Sequence, residues 1–218
     1  MEQRYGNVTY AQHGEDLAVV AIFDLLNIEK PSYLDVGAHH PFNISNTALL
    51  YSRGARGVNV EANPDLMGSF YELRPGDLSL NIGVAPKSGT MTFYRTTQLS
   101  STNTFEKKQV EWLLAESPYL KVVDTLEIEV VTLNDLVQKY CGGRFPNFLS
   151  IDAESLDVDI WEGVDFSHSR PDVICAEGWN DDAVRIAAAL KRWDYVPYLR
   201  TWSNRIFLTE DAYRRVSF

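Results

Sequence analysis

The sequence predicts an α/β protein with a mostly parallel sheet, helices on both faces and an antiparallel strand at the C-terminal end. Three observations carry this. Apolar runs of strand length alternate with segments of helical period, the pattern of βαβ units. Four of the five core runs end in a carboxylate or a glycine turn: Asp35-Val36-Gly37, Glu61, Asp152 and Glu177. Near the end of the chain, Tyr195-Leu199 and Arg205-Leu208 read as an antiparallel pair.

Taken in order, an amphipathic helix starts near Glu15 and runs through LAVVAIFDLL, with Asp16 favourably placed for the helix dipole. Tyr33-Val36 is the first strand, and Ile44 to Ser52 is a helix stopped by Gly54. Gly57-Glu61 is the second strand, and Asn63-Pro64-Asp65 opens another helix through proline in its first turn. Leu78 to Val84 is a third strand, followed by a Lys87-Ser88-Gly89 turn and a strand at Thr90-Tyr94. Phe148-Asp152 and Asp172-Glu177 are the fourth and fifth core strands, and Asp181 to Trp193 is helical by period. The rhythm breaks at about residues 96–125, where SSTNTF, a charged helix around Glu106-Glu116 and Pro118 predict a lid or substrate-contacting insertion.

With 218 residues, one domain with a proper core is expected; two would be a squeeze. Net charge is −10, which lowers the prior for a nucleic-acid partner. The start lacks a signal-peptide pattern and no run is long enough to span a membrane, so a cytoplasmic location is expected. Cys141 and Cys175 match no metal or redox spacing and read as buried free thiols. A homo-oligomer is an open expectation.

Ligands of open parallel sheets bind outside the carboxyl ends of the strands, so the strand-end acids converge on one rim. The first turn reads Asp35-Val36-Gly37-Ala38-His39-His40-Pro41. It has one glycine where a dinucleotide fold carries three, and an acid where pyrophosphate would lie. That combination suits a ligand with an ammonium group, such as S-adenosylmethionine. Glu61, ending the second strand, is positioned to accept ribose hydroxyls.

These residues carry a resemblance. YLDVGAHHPFNISNT, GVNVEANP, LNIGVAPKSGTMTFY, VTLNDLV and FLSIDAESLDVDIWEG resemble successive motifs of the FkbM family of O-methyltransferases, and YAQHGEDL is similar to an opening found in one branch. The likeness runs from about Tyr10 to Trp179. It implies a Rossmann-like class I methyltransferase sheet, S-adenosylmethionine as cofactor, and methylation of a hydroxyl on a sugar, glycan-linked or secondary-metabolite acceptor. Ser150 and Ser155 depart from the family block, which commonly carries Lys and Gly there. Losing the lysine removes a cation from the rim, and losing the glycine removes freedom for an unusual backbone angle.

The expected cofactor contacts are Asp35, Gly37, Ala38, Asn43, Glu61, Ala62, Asn81 and Asp152. Glu154, His40 and Asp152 are the catalytic candidates, with Glu154 or His40 as base. A likeness to metal-dependent sugar O-methyltransferases implies Asp152 and Glu177 as ligands of an optional Mg²⁺, with Gly178 where such enzymes often carry a further acid. Trp161, Trp193 and Trp202 are expected to pack, and Trp179 to stand on the rim. An NAD(P)-dependent oxidoreductase and a non-catalytic S-adenosylmethionine-binding domain are the competing readings.

Overall fold

The computed structural model describes residues 8–96, 103–117 and 119–217; the expectations at residues 100–102 and 118 lie outside them. Helix α1 (Glu15–Leu25) leads into β1 (Tyr33–Val36), α2 (Ala48–Ser52) and β2 (Gly57–Val60). A 3-10 turn at Pro64–Leu66 runs into α3 (Met67–Leu73), then β3 (Leu78–Leu80), β4 (Gly83–Val84), β5 (Gly89–Arg95), α4 (Lys107–Glu116) and β6 (Asp124–Val131). The remainder is α5 (Leu133–Tyr140), β7 (Phe148–Ile151), α6 (Asp157–Gly163), β8 (Val173–Glu177), α7 (Asn180–Lys191), β9 (Tyr195–Arg200), β10 (Asn204–Thr209) and α8 (Glu210–Val216).

Among the described residues the main sheet has the order β3-β2-β1-β7-β8-β10-β9. Pairing is parallel from β3 to β8, and β10 runs antiparallel to both its neighbours. A dinucleotide-binding sheet would continue with a parallel sixth strand; here the chain's last strand inserts beside β8 instead.

Side-chain alternation explains the two layers of helix. Leu34, Val36, Leu149, Ile151, Ile174 and Ala176 join one core with Leu136, Trp161, Ile186 and Leu190 from α5, α6 and α7. Their odd neighbours Tyr33, Phe148, Val173 and Cys175 join a second core with Val19, Phe23, Leu50, Ala212 and Val216 from α1, α2 and α8. Strands buried on both faces read as continuous apolar runs, which is why they stood out in the sequence. Burying each large side chain contributes roughly 1.5–3 kcal/mol before entropy is counted.

Two predicted elements are corrected. The Ile44 to Ser52 helix forms only from Ala48, because Ile44 has a positive φ of 56° and the Ser45 hydroxyl accepts from the Ala48 N–H at 3.2 Å. The single strand from Leu78 to Val84 is two strands in two sheets. Asn81 turns the chain between them, its amide donating to the carbonyls of Glu61 at 2.9 Å and Ala62 at 3.0 Å. The second piece, β4, pairs with β6, which also pairs with β5. Among the described residues no helix is long and apolar enough to cross a membrane.

Candidate functional site

Register aligns the strand ends. Val60, Val36, Ile151 and Ala176 are successive partners across β2, β1, β7 and β8, so Glu61, Gly37, Asp152 and Glu177 follow them in one row. Gly37 holds the row together. Its φ is +74°, and a Cβ there would lie 1.7 Å from the Asp152 carbonyl oxygen, so no other residue fits.

A cleft opens on the first half of this row. Gly37, Glu61, Ala62, Asp152 and Glu154 line it, with an apolar wall of Ile82, Phe93 and Phe105. The Glu61 carboxylate is buried and fixed, accepting from the backbone N–H groups of Asn63 at 2.7 Å and His39 at 2.9 Å. Burial nevertheless pushes its carboxyl up to about 7, against the opposing effect of those donors. Asp152 Oδ1 is buried without a hydrogen-bond partner.

Other predicted contacts stand off the cleft. Asp35 alternates to the opposite face of β1, where it is buried and accepts from the Thr47 hydroxyl at 2.6 Å. Ala38 is buried, its N–H donating to the Val60 carbonyl at 3.0 Å. His40 Nδ1 accepts from the N–H groups of Phe42 at 3.1 Å and Asn43 at 3.0 Å, capping the turn. Asn43 is exposed beside it, and Asn81 braces the loop after β2. His39, with φ +51°, is the histidine that lines the cleft. Burial holds both imidazoles below their ordinary values.

A second cleft of about 720 Å³ adjoins the first and shares Glu154 with it. Asp157, Glu177, Trp179 and Asp182 are among its lining residues, and α4 contributes Gln109. Burial and mutual repulsion push Glu154 up to about 8 and Asp157 up to about 6, and hold Asp152 well above the usual carboxylate range. Among the described residues no group of three or more metal-capable side chains is arranged to hold an ion.

The loop after β7 is strained. Glu154 has φ +47° and Ser155 φ +88°, so the left-handed angle that a glycine would give freely is adopted by a serine. The Thr104 hydroxyl, from the insertion, donates to the Glu154 carbonyl at 2.7 Å and fixes this turn. Ser150 is buried, accepting from Asn46 at 3.1 Å and lying beside Asp35. A cation there would meet Asp35 beneath the sheet, which corrects the expected effect on the rim.

Asp157 and Asp182 went unassigned in the sequence, while Thr104 and Phe105 were expected only as part of the insertion, and His39 only as an alternative to His40. Asp157 and Asp182 lay in plain view as acids within the first turns of α6 and α7. Trp202 is also a correction: it is 71% exposed and meets Trp179 edge-on at 6.0 Å rather than packing inside.

The sheet order defines an α/β protein of the Rossmann-like class. The methyltransferase FkbM domain model matches residues 35–197, and the chain belongs to that family. A crystal structure of methyltransferase FkbM from Methylobacillus flagellatus KT shares the fold, with a TM-score of 0.52 at 13% identity. The match covers 83% of this chain but 44% of that one, so this chain spans less than half of its neighbour's length. No curated protein matches significantly.

Proposed function

We propose that the chain is an S-adenosylmethionine-dependent O-methyltransferase acting on a hydroxyl of a sugar, glycan-linked or secondary-metabolite acceptor. The observation that carries this reading is the first cleft: a carboxylate held by two backbone N–H groups, an apolar wall, and a buried carboxylate oxygen without a partner. These features fit the three parts of the cofactor. Glu61 accepts the ribose hydroxyls, Ile82, Phe93 and Phe105 enclose the base, and Asp152 faces the cationic end.

Bound S-adenosylmethionine supplies a methyl group on a sulfonium, open to attack by an oxygen in line behind it. Glu154 stands between the two clefts, and a carboxyl held at about 8 gives a base matched to neutral pH. It accepts the acceptor's hydroxyl proton as the oxygen becomes nucleophilic. Thr104 keeps Glu154 in position, so orientation and proton removal act together. His40, committed to its turn, has no part in this reading, and no step is assigned to a metal.

Calorimetric titration with S-adenosylmethionine, S-adenosylhomocysteine and NAD⁺ tests it. Micromolar-range binding of the first two is expected, weakened about 10- to 100-fold in Glu61→Ala, as loss of hydrogen bonds to a charged group predicts. Preference for NAD⁺, or no binding of either sulfur compound, would sink the reading. Methyl transfer to a hydroxyl panel, followed by release of S-adenosylhomocysteine, then tests the acceptor class.

A further inference from the structure

The second cleft carries features that the cofactor reading does not use. Among the described residues the two clefts share Glu154, so a molecule seated in the second presents a group to the residue that would deprotonate it. Four of the described lining residues, Glu154, Asp157, Glu177 and Asp182, are acidic and none of those described is basic. Arg205 donates to the Gly178 carbonyl at 3.2 Å and Arg185 acts on Asp182, but neither is part of the lining. A phosphorylated, sulfated or carboxylated ligand would meet mostly like charge.

The mouth supplies the second half of the argument. Trp179 lines the cleft yet is 46% exposed, and the still more exposed Trp202 buttresses it edge-on. An exposed indole beside carboxylates binds a flat or ring-shaped ligand with a positive charge, through stacking and cation–π attraction.

We propose that this second cleft is the acceptor site and that the acceptor is a hydroxyl-bearing ring compound with a protonated amine, its ring on Trp179, its hydroxyl at Glu154 and its ammonium between Asp157 and Glu177. The hydroxyl part rests on the methyl-transfer reading; the charge part rests on the cleft alone. A cation entering here relieves repulsion among carboxyls that have no basic partner in the lining.

Two matched pairs test charge with the ring held constant: glucosamine trimer against its N-acetylated form, and tyramine against N-acetyltyramine. Each is titrated calorimetrically into the intact chain, with and without S-adenosylhomocysteine. The amine member of at least one pair is expected to bind about tenfold more tightly than its N-acetyl partner. That preference shrinks in about 0.5 M NaCl and disappears in Glu177→Gln, while Trp179→Ala weakens both members. Circular dichroism and cofactor titration of the variants confirm that they fold. Equal binding within both pairs, or no binding of any of the four, overturns the proposal. So does Mg²⁺ binding that Glu177→Gln abolishes in the absence of any amine preference, because the acids would then serve a metal. Cofactor binding without charge preference defeats this inference alone; charge preference without cofactor binding defeats the methyl-transfer reading alone.

Discussion

The two halves of the sheet handle buried acid in different ways. Beside β1 and β2 every buried carboxylate has donors. Asp77 pairs with Arg74 at 2.7 Å with both side chains fully buried, and it also accepts from the Tyr33 hydroxyl and the Gly57 N–H. Arg74 in turn donates to the Thr47 hydroxyl at 3.0 Å, and Thr47 donates to Asp35. Beside β7 and β8, burial and the charge of Glu177 hold Asp152, Glu154 and Asp157 high, although Asp157 also accepts from the Ala153 N–H at 3.0 Å. The backbone at Glu154 and Ser155 is strained as well. One half holds the fold and presents Glu61 rigidly. The other keeps unrelieved charge and strain where the chemistry is proposed, the pattern expected of a site that spends stability on function.

The sharpest way to break this comparison is to remove one charge from each half. Arg74→Met leaves Asp77 buried without its cation and should cost about 3 kcal/mol, lowering the thermal midpoint by roughly 10 °C. Glu154→Gln should do the reverse above neutral pH, raising the midpoint by several degrees while abolishing methyl transfer. Should both substitutions destabilise equally, the two halves do not differ.

The pH dependence sharpens the same contrast. Glu61 at about 7, Asp157 at about 6 and Glu154 at about 8 all lie above their unfolded values. The folded protein therefore keeps protons that the unfolded chain gives up, and stability falls as pH rises from the ordinary carboxylate range through about 8. A thermal midpoint that declines between pH 5 and pH 8.5 in the wild type, and less steeply in Glu154→Gln, is the expected pair of curves. A flat wild-type curve would contradict the raised values.

The smallest effect is expected at Ser155. Ser155→Gly removes a left-handed serine and should stabilise by about 1 kcal/mol, read by chemical denaturation. Destabilisation would mean that the serine side chain contributes more than its backbone costs.

Much of this was legible in the sequence. Strands β1, β2, β7 and β8 are apolar runs closed by an acid or a glycine, and those closures marked the rim before any coordinates. Strand β6 was also legible yet passed over: Leu126, Ile128 and Val130 alternate with Glu127 and Glu129, the period of a half-buried strand. Helix α8 likewise carried its signal, since the Thr209 hydroxyl accepts from the Ala212 N–H ahead of Glu210 and Asp211.

What the sequence could not yield was side-chain direction beyond a strand's end. His39 and His40 look equivalent in one dimension. A left-handed residue at His39 turns one toward the cleft and leaves the other to cap the turn. Asp35 shows the same limit, because its alternation sends it beneath the sheet while Glu61 stays on the rim. Thr104 and Phe105 reach the cleft through a bridge between Tyr94 and Thr104, a tertiary contact with no local signature.

The buried Glu15 has a consequence in time. Its carboxylate accepts from the Thr201 hydroxyl and from Asn204, residues 186 and 189 positions further along the chain. Asn204 is also the register partner of Glu177 in β10, the strand that completes the sheet beside the second cleft. A chain emerging from the ribosome therefore carries Glu15 without these donors, and β8 without its outer neighbour, until β10 has emerged. The sheet beside the second cleft is completed only when β10 pairs with β8, so its acidic loops wait unsupported for that strand.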